Sequence, residues 1–202
     1  MILEALRRWP VRYKPHDYQQ QATKFILDHS EAAVLLGMGL GKSVISLTAV
    51  WELILDYFTV RRVLVIAPLR VARDTWPGEL AKWDHLDGLS MAVAVGSKAQ
   101  RLEALAVGAM VTVINRENVP WLVAHYGNAW PFDMVIIDEL SSFKNPRAKR
   151  FKELTRVRPH LNRIVGLTGT PAANGLMDLW AQFRLLDGGE RLGRYITHYR
   201  NR

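Results

Sequence analysis

A glycine run between two apolar segments restricts the fold of this chain more than any other feature. The run reads GMGLGKS over residues 37–43, after apolar residues 32–36 and before the apolar-rich segment 44–55. A strand, a glycine turn and a helix in this order form a phosphate-binding loop, in which backbone N–H groups and a helix N-terminus face an anion. We expect Gly39 and Gly41 to surround nucleotide phosphates, Lys42 to reach the β- and γ-phosphates, and Ser43 to bind Mg²⁺.

The loop departs from the strict phosphate-loop pattern at one position. That pattern has a glycine six residues before the lysine. Here this position is Leu36. A glycine-rich turn that holds no ligand is therefore an alternative interpretation of this segment when it is taken alone.

Apolar, β-branched runs alternate with amphipathic segments along the rest of the chain. Strands are predicted at 33–36, 63–67, 90–95, 111–114, 134–138 and 163–168. Helices are predicted at 17–29, 42–57, 70–83, 98–107, 116–125, 148–157 and 175–186. Strands that are apolar throughout and separated by helices predict an α/β fold with a mainly parallel sheet covered on both faces. Ligands of such sheets bind at the carboxyl ends of the strands, which is where the candidate motifs fall.

Two further motifs follow predicted strands. Asp138 and Glu139 come directly after four apolar residues, 134–137. In phosphoryl transfer the first acid of such a pair holds Mg²⁺ and the second positions the attacking water, although a strand-ending turn is the simpler alternative. Thr168 and Thr170 flank a glycine after the last strand. Their hydroxyls could sit beside the γ-phosphate, or the segment could be a plain turn.

The charge of the chain points to a polyanionic partner. The 202 residues contain no cysteine and carry a formal net charge of +8. The segment 144–163 has eight basic residues against one acidic residue, so it holds most of that excess. We expect a nucleic-acid contact there, through Lys144 and Arg147 among others, although a solvated helix face would show the same run.

Neither a secretory signal nor a membrane span is expected. Arg7 and Arg8 are not followed by an apolar core. The apolar segment 44–60 contains Glu52 and Asp56, so a buried helix is the better interpretation. We expect a cytoplasmic protein of a bacterial or phage-infected cell, or a nuclear one if the source is eukaryotic.

These motifs together resemble the N-terminal RecA-like lobe of superfamily 2 helicase-like ATPases, and within them the Swi/Snf family of double-stranded DNA translocases. The resemblance covers residues 15–199. Its most specific part is the block LTGTPAANGLMDLW at 167–180. Further matches are APL at 67–69 with Trp76, Glu79, Lys82 and Trp83 behind it, Lys144-Asn145, and Leu192-Gly193 with Tyr195 and Tyr199.

The resemblance implies a role for each matching residue. ATP and Mg²⁺ are the implied cofactors, and double-stranded DNA is the implied partner. Gln19 would read the adenine edge, and Thr168 and Thr170 would couple the nucleotide state to the DNA contact. Lys42, Asp138 and Glu139 would be the catalytic residues, with Ser43 and Asp138 on the metal. The segments that contain Arg70, Asn115 and Arg116 would follow the DNA backbone.

The chain also departs from the family it resembles. Members usually have a small residue and then histidine after the paired acids, where this chain has Leu140 and Ser141. They carry acidic residues before the phosphate loop, where this chain has Leu36-Gly37. They also need a second RecA-like lobe that supplies arginine fingers. We expect an N-terminal extension at 1–14 and one lobe at 15–202, with weak or no ATP hydrolysis by the chain alone.

Two other functions stay open at this point. One is a non-hydrolysing module that binds DNA or a protein partner, which seven tryptophans would serve if they formed a surface. The other is the corresponding lobe of an RNA or single-strand helicase. A small-molecule kinase would not need the threonine block or the basic run.

Overall fold

The protein is described by a computed structural model that covers residues 10–172 and 175–200. Most of the expected extension at 1–14 therefore lies outside the described residues, as do Ala173 and Asn174 of the threonine block. The described chain forms a six-stranded sheet with the order β1-β6-β5-β2-β4-β3, in which every pairing is parallel. The strands are Glu31–Leu35 (β1), Val63–Ala67 (β2), Met91–Ala94 (β3), Val111–Asn115 (β4), Met134–Asp138 (β5) and Arg163–Thr168 (β6).

The inner strands are mostly apolar because both faces of the sheet are covered there. Successive side chains of a strand point to opposite faces. Val63 and Val65 of β2 accordingly join one hydrophobic core, whereas Leu64 and Ile66 join the other. All four are fully buried. This confirms the α/β fold expected from the sequence.

Helices occupy both faces of the sheet. They are Asp17–Asp28 (α1), Lys42–Trp51 (α2), Trp76–Lys82 (α3), Lys98–Ala106 (α4), Val119–Tyr126 (α5), Lys149–Val157 (α6), Met177–Asp187 (α7) and Ile196–Arg200 (α8). Side chains of α1, α2 and α3 pack in the first core, and those of α5, α6 and α7 pack in the second. No helix within residues 10–172 and 175–200 has the length and apolar content needed to cross a bilayer.

Two of the predicted helices contain π-helical turns. The α2 helix continues as a π-helical segment over Glu52–Asp56, and α3 is preceded by one over Val71–Thr75. Pro77, in the first turn of α3, has no backbone N–H to give, and the N–H of Trp76 bonds to the carbonyl of Val71. The short helix α8 was not predicted.

The six tryptophans within the described residues do not form a surface, so the expected tryptophan-rich surface is not found there. Trp76 and Trp180 are buried. Trp51, Trp83, Trp121 and Trp130 are partly buried and pack against the two cores. Six of the seven tryptophans lie in the described part of the chain and serve packing there, because a large aromatic ring gains most when its area is removed from water.

Candidate functional site

The predicted motifs meet at the carboxyl edge of the sheet. Leu35 at the end of β1 is in register with Thr168 of β6, and Leu167 of β6 is in register with Asp138 of β5. The end of β2, Ala67, is in register with Asn115 of β4. The glycine loop, the threonine motif and the paired acids therefore lie at the ends of three neighbouring strands, β1, β6 and β5.

Glycine geometry shapes the loop between β1 and α2. Gly39 and Gly41 have φ angles of 79° and 75°, in the left-handed region that favours glycine. A Cβ atom on Gly41 would lie 2.5 Å from Gln19 Nε2, so a side chain there would collide with α1. Gly41 is also the N-cap of α2 and has no side-chain oxygen to cap it. The first N–H groups of α2 are therefore left for another acceptor, as an anion site requires.

Lys42 lies folded onto this loop. Its Nζ donates to the backbone carbonyls of Leu36 and Gly37, at 2.8 Å each. Leu36 packs its side chain against the first core and contributes only its backbone here. Because its φ angle is not positive, leucine is tolerated where the strict pattern has glycine. Ser43 follows in the first turn of α2 and is partly exposed.

Gln19 lies against the loop from the other side. Its side chain is 7% exposed, and its Oε1 accepts from the backbone N–H of His16 at 2.9 Å, at the start of α1. Tyr18 Oη donates to the carbonyl of Leu40 at 3.3 Å. The start of α1 is therefore hydrogen-bonded to the loop through Tyr18, and the side chain of Gln19 lies beside Gly41.

Asp138 is held by a residue that the sequence did not single out as part of the site. Trp76 Nε1 donates to Asp138 Oδ2 at 3.0 Å. Burial raises the pKa of Asp138 above its usual value, while the hydrogen bond from Trp76 and the charge of Lys42 act in the opposite direction. The two residues are 62 positions apart, and no local pattern in the sequence signals that they meet.

Glu139 has an unusual backbone and two hydroxyl donors. Its φ angle is 63°, which is uncommon for a residue other than glycine. Its Oε1 accepts from Ser141 Oγ and, at 3.1 Å, from Thr168 Oγ1. Thr168 Oγ1 in turn accepts from the N–H of Thr170 at 3.2 Å. The threonine motif and the second acid are thus directly connected, and Ser141, at the position of the family's histidine, also bonds to Glu139.

The residues expected at nucleic acid differ in their surroundings. Arg70 and Arg147 are exposed. Arg116 pairs with Glu117 at 2.9 Å. Lys144 Nζ pairs with Asp178 at 3.2 Å. Asn115 is 7% exposed and donates to Glu117 at 2.9 Å, so its side chain shapes the turn after β4. Arg70 and Arg116 follow adjacent strands and lie at one edge of the sheet.

Part of the basic run at 144–163 is used inside the fold. Arg163 donates to the carbonyls of Ile26, Leu27 and His29 and so closes the end of α1. Arg158 donates to the carbonyl of Leu186 near the end of α7. Cations at helix C-termini are favourable because carbonyls there lack partners. The exposed basic side chains of the run include Arg147, Lys149 and Lys152, so the surface available to a polyanion is smaller than the sequence suggested.

A glycine loop after the first strand of a parallel sheet, with paired acids two strands away, defines a RecA-like P-loop domain. The chain belongs to the SNF2-related domain family, whose model matches residues 18–190.

Individual relatives agree with this assignment. The chain is 40% identical over 196 residues to protein p41 of Acyrthosiphon pisum secondary endosymbiont phage 1, covering 94% of this chain and 43% of that protein. It is 34% identical over 168 residues to the mouse DNA excision repair protein ERCC-6-like, covering 79% of this chain and 13% of that protein. It thus spans less than half the length of these relatives.

A solved structure shows the same fold. The Sulfolobus solfataricus SWI2/SNF2 ATPase core in complex with dsDNA matches with a TM-score of 0.79 at 22% identity. The match covers 97% of this chain and 40% of that one.

Proposed function

We propose that this chain is the ATP-binding lobe of an ATP-dependent double-stranded DNA translocase. The observation that carries the proposal is the convergence of three side chains at one sheet edge. Lys42 lies on the glycine loop, Asp138 ends β5, and Glu139 is hydrogen-bonded to Thr168 of β6. Phosphate binding, metal binding and water positioning each need one of these groups.

ATP binding would use the loop and the start of α2. The ammonium of Lys42, which now donates to two loop carbonyls, would turn to the β- and γ-phosphates, and the N–H groups around Gly39 and Gly41 would bind phosphate oxygens. Gln19 would contact the adenine edge from its place beside Gly41. The loop geometry supports this, because a side chain at position 41 would press on Gln19 and would need an unfavourable positive φ angle.

Magnesium would be held by Ser43 and Asp138. Mg²⁺ binds proteins through one or two oxygen side chains and completes its coordination with water and substrate phosphates. A serine hydroxyl at the start of α2 and a carboxylate at the end of β5 are donors of this kind. The ion would neutralise charge that develops on the γ-phosphoryl group.

Glu139 would orient the attacking water. Its carboxylate is restrained by Ser141 and Thr168, so its orientation depends on the threonine motif. Thr170, whose N–H reaches Thr168, would pass a change at the γ-phosphate to this pair. Thr168 and Thr170 would in this way couple the nucleotide state to the rest of the motor.

Double-stranded DNA would contact the same edge through the turns after β2 and β4, at Arg70, Asn115 and Arg116. The exposed Arg147 and, when its pair with Asp178 opens, Lys144 would add contacts. The structural relative is a complex with dsDNA, and the excision-repair relatives support a role on DNA. The phage relative supports work in an infected bacterial cell.

A second lobe would complete the motor. The chain corresponds to 43% of the phage relative and 40% of the matched ATPase core, which leaves room for another lobe in proteins of this kind. An arginine finger supplied from a second lobe accelerates phosphoryl transfer by about 10³–10⁵-fold in related systems. We therefore expect residues 15–202, acting as one lobe, to bind Mg·ATP and to hydrolyse it slowly.

The test compares Mg·ATP binding by the wild-type chain, Lys42→Ala and the control Lys24→Ala, whose lysine is exposed on α1. Lys42→Ala should weaken binding by about 100-fold, because loss of one partner of a close charge pair costs about 2–5 kcal/mol. Lys24→Ala should bind normally. Equal affinity in all three proteins would refute the site.

Hydrolysis measured with duplex DNA, single-stranded DNA or RNA would separate the remaining functions. Stimulation by duplex alone supports a translocase lobe. Stimulation by RNA or single strands would favour a helicase lobe. Salt-sensitive duplex binding with no nucleotide binding would favour a non-hydrolysing module.

A further inference from the structure

Trp76 is a buried side chain whose polar atom is directed at the proposed metal site. Its side chain is fully buried, and its indole N–H donates to Asp138 Oδ2 at 3.0 Å. A tryptophan that served packing alone would need only some partner for its N–H. Here the partner is a carboxylate at the carboxyl end of β5, the group proposed to bind magnesium.

The donor is itself held firmly. The backbone N–H of Trp76 bonds to the carbonyl of Val71, which closes the π-helical turn ahead of α3. One turn earlier, Ala72 N donates to the carbonyl of Pro68 at 2.8 Å, and Ala72 is fully buried. Two backbone hydrogen bonds therefore hold the segment between Pro68, directly after β2, and Trp76, from which the indole projects. π-Helical turns of this kind occur frequently at functional sites.

We propose that Trp76 is a positioning residue for magnesium, a role that rests on the nucleotide-binding function proposed above. The indole N–H fixes the orientation of the Asp138 carboxylate, so that the group meets the ion without first reorienting. Hydrogen bonds from buried neighbours commonly orient metal-binding side chains in this way. A rigid donor is most effective, because little freedom is lost when the metal binds.

Trp76→Phe separates this role from packing. Phenylalanine keeps an aromatic ring in the core and removes the N–H donor. Trp83→Phe is the matched control. Trp83 directly follows α3, and its Nε1 also donates to a carboxylate, that of Glu79 at 2.8 Å. The probe is Mg²⁺ titrated into protein that is saturated with ADP, so that hydrolysis is not involved.

The expected result is a loss of Mg²⁺ affinity in Trp76→Phe alone. The Mg²⁺ concentration at half-saturation should rise about tenfold, the low end of the range for removing a hydrogen bond to a metal-binding side chain. ADP binding without Mg²⁺ should be unchanged. Trp83→Phe should match the wild type in both measurements, and equal Mg²⁺ affinity in all three proteins would overturn the proposal.

The indole signal of Trp76 in a ¹H–¹⁵N spectrum gives a readout in the wild-type chain that does not depend on how the variant folds. The chemical shift of this signal should change as Mg²⁺ saturates the ADP complex, because the ion alters the charge around the carboxylate that accepts the indole hydrogen bond. A Trp76 signal that stays in place while Mg²⁺ binds would refute the positioning role and leave the nucleotide site intact. A wild-type chain that does not bind ADP would overturn both.

Discussion

Gly166 and Leu140 form a tight pair beneath the proposed site, and their fit gives a quantitative prediction. A Cβ atom on Gly166 would lie 2.5 Å from Leu140 Cδ2 and 3.1 Å from Cδ1 and Cγ. Carbon atoms pack at about 3.5–4.0 Å, so Leu140 would have to move by about 1 Å. Leu140 is 1% exposed and cannot turn out into solvent. The absent side chain of Gly166 is what makes room for a leucine after the paired acids.

Gly166→Ala should destabilise the fold by about 1–2 kcal/mol. Overpacking a buried site costs about 1–3 kcal/mol. Replacing glycine by alanine at a position with ordinary backbone angles stabilises the fold by about 0.4–1 kcal/mol, because the unfolded chain loses conformational freedom. Gly78→Ala is the control, since a Cβ at Gly78 meets nothing within 4 Å and its φ angle is ordinary. That variant should be neutral or stabilised.

The sign of the Gly166→Ala effect should reverse when Leu140 is first replaced by alanine. Leu140→Ala alone should cost about 2–5 kcal/mol, because it leaves a cavity. In that background the new methyl group of Gly166→Ala enters the cavity and should add about 1 kcal/mol of stability. Urea unfolding of the four proteins, followed by tryptophan fluorescence, gives the coupling free energy. If Gly166→Ala costs the same in both backgrounds within about 0.5 kcal/mol, the packing argument is wrong.

Two further predictions concern charged groups. Arg163→Met should lower the free energy of unfolding by about 2–3 kcal/mol, because three carbonyls near the end of α1 lose a charged donor. Arg156→Met, which removes a side chain 60% exposed, should change it by less than about 0.5 kcal/mol in the same denaturation assay. Asp138→Asn should stabilise the metal-free chain at neutral pH, because burial raises the folded-state pKa of Asp138 above its unfolded value. The unfavourable carboxylate is absent below the unfolded pKa and fully present above the folded pKa, so the gain should vanish as the pH falls through this window. A gain that persists under acidic conditions would contradict the assignment.

The strands were predictable because burial on both faces leaves a local signature. Five predicted strands, at 63–67, 90–95, 111–114, 134–138 and 163–168, agree with the structure within one residue at either end. The π-helical turns were not predictable in this way. Hydrophobic periodicity indicates which face of a helix is apolar, and it does not distinguish a π-helical turn from an α-helical one.

The place of the site was predictable, but its hydrogen bonds were not. Parallel strands bring their carboxyl ends to one edge, so the loop, the acids and the threonines had to be neighbours. Which side chain bonds to which acid depends on tertiary packing, as the link from Trp76 to Asp138 shows. The same limit applies to the basic run, since the sequence does not distinguish an arginine that caps a helix end from one that faces solvent.

The two adjacent acids are positioned by different parts of the fold. Asp138 is held from α3 through Trp76, whereas Glu139 is held by Ser141 and Thr168. The left-handed backbone of Glu139, with a φ angle of 63°, costs about 1–3 kcal/mol and persists only where its surroundings enforce it. Leu140, the residue that follows Glu139, is held in place by its packing against Gly166. A substitution that displaces Leu140 should therefore disturb the position of Glu139 more than that of Asp138. Gly166→Ala should accordingly impair hydrolysis more than Mg²⁺ binding. Equal losses in both would show that the two acids move as one unit.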